Sequence, residues 1–188
     1  METTNIERYL ESFGKQVVNR AKGGLQRKKG GGSKLEDSIR FEVVPDGDGF
    51  AVQFFMSSYG TFVDKGVSGT KTKRSFKDYK GKTIKSPYNY GSGSSPVGKS
   101  KGGMSGIMTK WIKRKGFQWK DKKTGRFMSH KSMGYLVARS IFSKGIQGIS
   151  FFQKPLGLGL KEFGKDLLGS VKEDILNTLN KETITQVK

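Results

Sequence analysis

Ile39-Arg40-Phe41-Glu42-Val43-Val44-Pro45-Asp46-Gly47-Asp48-Gly49-Phe50-Ala51-Val52-Gln53-Phe54-Phe55-Met56 decides the fold class. Ile39, Phe41 and Val43 alternate with polar neighbours, and Phe50, Val52, Phe54 and Met56 alternate on the return. Between them, Pro45 to Gly49 carries the Gly and Asp residues that tight turns use. Two period-two runs across such a turn predict a β-hairpin with one buried face.

On the N-terminal side, Ile6, Tyr9, Leu10, Phe13, Val17, Val18 and Ala21 fall at helical spacing. The expected helix runs from Thr4 to Lys22 and stops at Gly23-Gly24, leaving Leu25 to Ser33 as a flexible basic linker. After the hairpin, Ser57 to Gly69 reads as a short turn or helix closing on glycine. From Thr70 to Gly103 aliphatic residues are scarce, so a long loop is expected there. Met104, Ile107, Met108, Trp111 and Ile112 mark a helix ended by Gly116. Phe117 to Phe127 reads as a small hairpin or loop. Met133, Leu136, Val137 and Ile141 mark another helix ending near Gly145, and Pro155 opens a last one. The order is helix, hairpin, long loop and three helices, with no internal repeat. It predicts an α+β chain.

Thirty-six Lys and Arg oppose sixteen Asp and Glu, a net charge of +20. Residues 71–131 hold eighteen of those cations against Asp78 and Asp121, so most of the excess lies there. Phe76, Tyr79, Tyr88, Tyr90, Trp111, Phe117, Trp119 and Phe127 are interleaved with them. Cations among rings suit a nucleic-acid groove, where Lys meets phosphate and rings stack on bases. They equally suit an arm that orders between acidic subunits, or a solvated loop. Lys71, Lys73, Arg74, Lys77, Lys80, Lys82, Lys85, Lys99, Lys101, Lys113, Arg114 and Lys115 are the expected partner or DNA contacts.

The absence of cysteine removes disulfides, thiolate metal sites and cysteine nucleophiles. The start, Met1 to Ser12, is polar and acidic, unlike a secretory signal, and no apolar run approaches the ~20 residues of a membrane span. The expectation is a protein that is soluble and intracellular when made. Gly93 to Ser100 matches the P-loop pattern letter for letter, but no buried strand precedes it and Gly102-Gly103 interrupts any following helix. It reads as a chance match in a Gly-, Ser- and Lys-rich segment. His130 reads as a surface or capping residue, and Asp46 and Asp48 as turn chemistry. Glu36, Asp37 and Glu42 form no acid/base pair. No catalytic residue, cofactor or metal site is expected.

Two passages carry a family resemblance. Tyr59-Gly60-Thr61-Phe62-Val63-Asp64-Lys65-Gly66-Val67-Ser68-Gly69 resembles a passage that follows the hairpin in neck or tail-completion proteins of long-tailed phages. Gly145-Ile146, Phe151-Phe152 and Pro155, following a helix from Ala138, resemble that family's entry to its C-terminal helix. The likeness covers residues 1–67 and 135–180. It departs from the family at the basic segment 70–131 and at Gln153, where the family often has Arg. The resemblance implies a small α+β subunit, with an antiparallel sheet built on the hairpin and packed by N- and C-terminal helices. It implies a single domain over 1–188 in which 70–131 is a basic extended insertion. It further implies a ring of identical copies in the virion neck, assembled in the host cytoplasm. The ring would join the portal or connector to the tail proteins, its lysines turned either toward packaged DNA or toward acidic rings above and below; no membrane contact is expected. A basic protein acting on DNA or RNA outside a particle is the competing expectation.

Overall fold

The computed structural model describes residues 4–47, 49–90 and 103–186. Its elements in chain order are α1 (Thr4–Lys29), α2 (Lys34–Ser38), β1 (Arg40–Asp46), β2 (Gly49–Phe55), α3 (Gly60–Lys65) and β3 (Gly66–Ser68). They continue with β4 (Ser75–Lys77), β5 (Thr83–Lys85), α4 (Met104–Lys115), α5 (His130–Lys144), β6 (Gly145–Gln147) and α6 (Gln153–Gln186). The class is α+β, as the sequence predicts. Among the described residues the strands form three two-stranded sheets, β1–β2, β3–β6 and β4–β5.

The chain divides into two compact units. The first comprises Met1–Asp64, Lys77–Thr83 and Ile149–Lys188, and the second Lys65–Phe76 and Ile84–Gly148. In the first, β1 and β2 pair antiparallel with Phe41 opposite Phe54, Val43 opposite Val52 and Pro45 opposite Phe50. Opposed residues share a face, so the alternating apolar positions line one side of the hairpin. That side lies on a core of Phe13, Val17, Val18, Ala21 and Leu25 from α1, closed by Leu35, Ile39, Phe151 and Phe152. On the other side the Arg40 guanidinium lies 4.8 Å from the centroid of the Phe55 ring. Helix α6 packs on α1 where Gly159 meets the side chains of Phe13 and Val17. Tyr9 Oη donates to the Phe163 carbonyl at 3.2 Å, and Arg20 pairs with Glu162 at 3.2 Å.

Helix α1 does not stop at Gly23-Gly24. It runs to Lys29, because Leu25 is 1% exposed in the core and Gly24 faces Phe151, which a Cβ added at Gly24 would meet at 3.6 Å. Burying a Leu contributes roughly 1.5–3 kcal/mol, comparable to the cost of two helical glycines at ~1 kcal/mol each. The linker therefore shrinks to Gly30–Ser33, and Ser33 Oγ accepts the Glu36 N–H to start α2. An added methyl at Gly23 meets nothing within 4 Å. Gly23→Ala is thus expected to stabilise the protein by about 1 kcal/mol, read as a higher urea midpoint at unchanged slope.

In the second unit α4 packs on α5 at Gly134, where an added Cβ would meet Thr109 and the Ser105 carbonyl. Ile112 and Met133 are fully buried. Ser129, not His130, caps α5: its Oγ accepts the Ser132 N–H at 3.1 Å. The long loop expected over 70–103 contains β4 and β5. Each is three residues with one large apolar side chain, Phe76 or Ile84, too short to show a period.

Candidate functional site

The two passages that carry the resemblance are brought together within each unit. In the first, the Val63 carbonyl accepts the Ile149 N–H at 3.1 Å and the Asp64 carbonyl accepts the Ser150 N–H at 3.0 Å. The Asp64 carboxylate, 2% exposed, accepts the Phe152 N–H at 2.8 Å just before α6 begins. A helix start leaves N–H groups without intrahelical partners, so a carboxylate there satisfies a donor and meets the positive end of the helix dipole. Phe151 and Phe152 are buried beside it, and the Phe152 ring stands edge-on to Phe54 at 5.4 Å. Gly60 is buried against Met56 and Leu35, and Val63 packs on the core, while Tyr59 and Phe62 stay exposed. Pro155 is buried in the first turn of α6, where a missing N–H costs nothing.

In the second unit β3 and β6 pair antiparallel, Gly66 opposite Gln147, Val67 opposite Ile146 and Ser68 opposite Gly145. Gly66 and Gly145 hold φ of 78° and 71°, and a Cβ on either would strike the backbone of the facing strand. Ile146 points outward. The start of the basic segment is fastened here too. Thr70 N donates to the Phe142 carbonyl at 3.0 Å, and Lys71 N to the Ser143 carbonyl at 3.0 Å.

The departure at Gln153 has a local reason. Its Oε1 accepts the Tyr79 N–H at 3.1 Å, which an arginine, a donor only, cannot do. Gly157 lets the Tyr79 carbonyl approach α6. Residues 77–83 therefore rest on the start of α6 within the first unit.

Of the expected contact residues, Lys71, Lys73, Lys77, Lys80, Lys82, Lys85, Lys113, Arg114 and Lys115 are exposed. Lys77, Lys80 and Lys82 flank one turn, in which the Asp78 carboxylate accepts the Lys82 N–H at 2.8 Å. Lys113, Arg114 and Lys115 form the last turn of α4. Arg74 differs. Its Nε donates to the Lys144 carbonyl at 2.8 Å and its Nη1 to Gln147 Oε1 at 3.4 Å, so it braces β6. Lys99 and Lys101, with the P-loop match at 93–100, lie outside the described residues.

Charge segregates by unit. The second holds eighteen Lys and Arg against Asp121 alone, a net +17, and the first holds the remaining +3. Both ion pairs among the described residues, Arg20–Glu162 and Arg40–Glu42, belong to the first unit. The Asp121 carboxylate accepts the N–H groups of Lys123 and Thr124 at 2.9 Å each, and the Thr124 hydroxyl at 3.2 Å. Those hydrogen bonds, the Thr124 N–H foremost, hold its pKa below the ordinary carboxylate value.

They close a turn inside Phe117 to Phe127, where the sequence predicts a small hairpin or loop. Asp121 N donates to the Arg126 carbonyl at 2.8 Å and Met128 N to the Trp119 carbonyl at 2.9 Å, giving a short ribbon that carries Lys120, Lys122, Lys123 and Arg126. None of these four was among the expected contacts. The signal was an Asp three residues before Thr-Gly, the spacing of a side-chain-closed turn.

Among the described residues, no group of three or more His, Cys, Asp or Glu is placed to hold a metal ion, and no helix is long and apolar enough to cross a membrane. Comparison with protein-family models, with curated proteins and with solved structures gives no match.

Proposed function

We propose that the chain is a structural subunit of a tailed-phage particle, a neck or tail-completion protein. Identical copies form a ring that joins the portal or connector to the tail. What carries this reading is the junction: two passages that resemble that family fold against each other, Asp64 on Phe152 and Gly66–Ser68 on Gly145–Gln147. There Asp64 accepts the Phe152 N–H, and Gly66 and Gly145 let the two strands close on each other. The role is assembly, in the host cytoplasm and then the virion, and it calls for no catalytic residue and no cofactor.

Surface apolarity supports the ring. Leu158, Leu160, Leu168 and Leu176 on α6 are exposed, Leu168 by 73%. Ile6, Leu10, Phe50, Phe163, Leu167 and Val171 line an apolar hollow formed by α1, α6 and the hairpin tip. Exposed apolar surface of this kind marks contact surfaces, and neighbouring copies would cover it.

The test is made on particles. Immunogold labelling of purified, DNA-filled particles is expected to mark the head–tail junction, with a copy number that divides into a ring. Absence of the protein from such particles overturns the reading. The basic second unit favours another reading, a protein that binds nucleic acid outside any particle. Absence from particles together with steeply salt-dependent binding would favour that one.

A further inference from the structure

We infer that the ribbon Trp119–Met128, with the last turn of α4, is a nucleic-acid contact that binds phosphates and stacks unpaired bases. This rests on the ribbon alone and does not require the neck reading.

The chemistry is concentrated. Lys120, Lys122, Lys123 and Arg126 sit on ten residues of ribbon, and Lys113, Arg114 and Lys115 precede it. The one carboxylate, Asp121, turns its Oδ1 to the ribbon's own N–H groups. With no acid opposing them, these cations lower their energy most beside a polyanion.

Charge alone does not separate nucleic acid from other polyanions, but the rings do. Phe127 is 62% exposed and Trp119 41%, on an element whose other side chains, Met128 apart, are polar. Lys120 and Phe127 are bridge partners and share a face, with the Lys120 ammonium 5.0 Å from the ring centroid. Trp119 lies opposite Met128, so by the alternation of a strand its ring falls on the other face. A lipid surface would draw both rings to one side of the ribbon, and an acidic protein partner has no need of open rings. A flexible single strand can meet both faces, laying bases on the rings while its phosphates reach the lysines.

The test uses the full chain and fluorescein-labelled single-stranded DNA of mixed sequence, read by anisotropy. Binding is expected to fall steeply between roughly 50 and 200 mM salt. Trp119→Ala and Phe127→Ala are each expected to weaken it about tenfold with the salt slope unchanged, and Phe127→Tyr to restore it. Replacing Lys120, Lys122, Lys123 and Arg126 by Gln should flatten the slope by roughly 0.7 for each phosphate no longer neutralised. A thermal melt of each variant checks folding. Quenching of Trp119 fluorescence by the strand, in a Trp111→Phe background, reads stacking on an unaltered ribbon. The proposal is overturned if the ring variants bind like the parent without quenching. It is overturned equally if duplex or base-free polyphosphate competes as well as the single strand at equal phosphate, or if anionic vesicles bind and DNA does not. None of these results bears on the neck reading, which is tested on particles.

Discussion

Gly145→Ala is expected to destabilise the second unit by about 4 kcal/mol or more, from backbone strain and broken strand pairing together. Gly145 ends α5 at φ 71° and ψ −171°, a conformation essentially reserved to glycine. Placing a side chain there costs roughly 1–3 kcal/mol before any contact is considered. The methyl would also press on the Val67 carbonyl, with Gly69 N at 2.5 Å and the Ser68 carbonyl carbon at 2.8 Å. All are backbone atoms, so no rotamer change relieves them. The strands β3 and β6 must part, and each hydrogen bond broken costs roughly 1 kcal/mol more. Trp111 and Trp119 both lie in the second unit, so tryptophan fluorescence during urea unfolding reports this change directly. The midpoint should fall sharply at unchanged slope. A loss below about 1 kcal/mol would mean that the strand pair tolerates a wider spacing and that Gly145 is not there for close approach.

What the sequence made legible was local. The hairpin was readable because period-two alternation and a Gly-Asp turn both act over a few residues, and the register Phe41 to Phe54 follows from them. The helix at Met133 to Ile141 was readable from spacing, with Ser129 in place to cap it. The extension of α1 was not readable, because Leu25 is held by contacts with residues far along the chain, Phe151 and Phe152 among its core neighbours. Arg74 looked like one more free cation, yet Lys144 and Gln147, distant in sequence, engage its guanidinium. Asp64 stood in the sequence as one letter of a pattern. Its partner, the Phe152 N–H, lies eighty-eight residues on, and nothing in the spacing of either passage states that pairing. The charge excess was visible at once. That it belongs to one compact unit depended on where α5 and β6 fall, outside the segment where lysines are dense.

Asp64→Ala is expected to cost about 3 kcal/mol, because it leaves a buried N–H without its charged acceptor. The Phe152 N–H stands at the start of α6, where no carbonyl of the helix can reach it. Water does not readily replace the carboxylate, since Phe152 is 9% exposed and Phe151 3%. The neighbouring Ser150 holds φ 49°, unusual for a residue with a side chain, and its N–H bond to the Asp64 carbonyl helps to keep it there. Loosening Asp64 therefore frees a strained turn as well as a helix end. Asp64→Asn separates the causes. The amide oxygen still accepts the Phe152 N–H while the charge facing the helix dipole is gone, so a destabilisation of about 1 kcal/mol is expected. Both tryptophans lie in the other unit, so circular dichroism is the readout, with hydrogen exchange at the Phe152 amide as the local one. Exchange there should quicken strongly in Asp64→Ala and modestly in Asp64→Asn. Equal losses in the two variants would assign the effect to charge alone, and parental stability in Asp64→Ala would remove the junction as the link that holds α6 to the turn at Asp64.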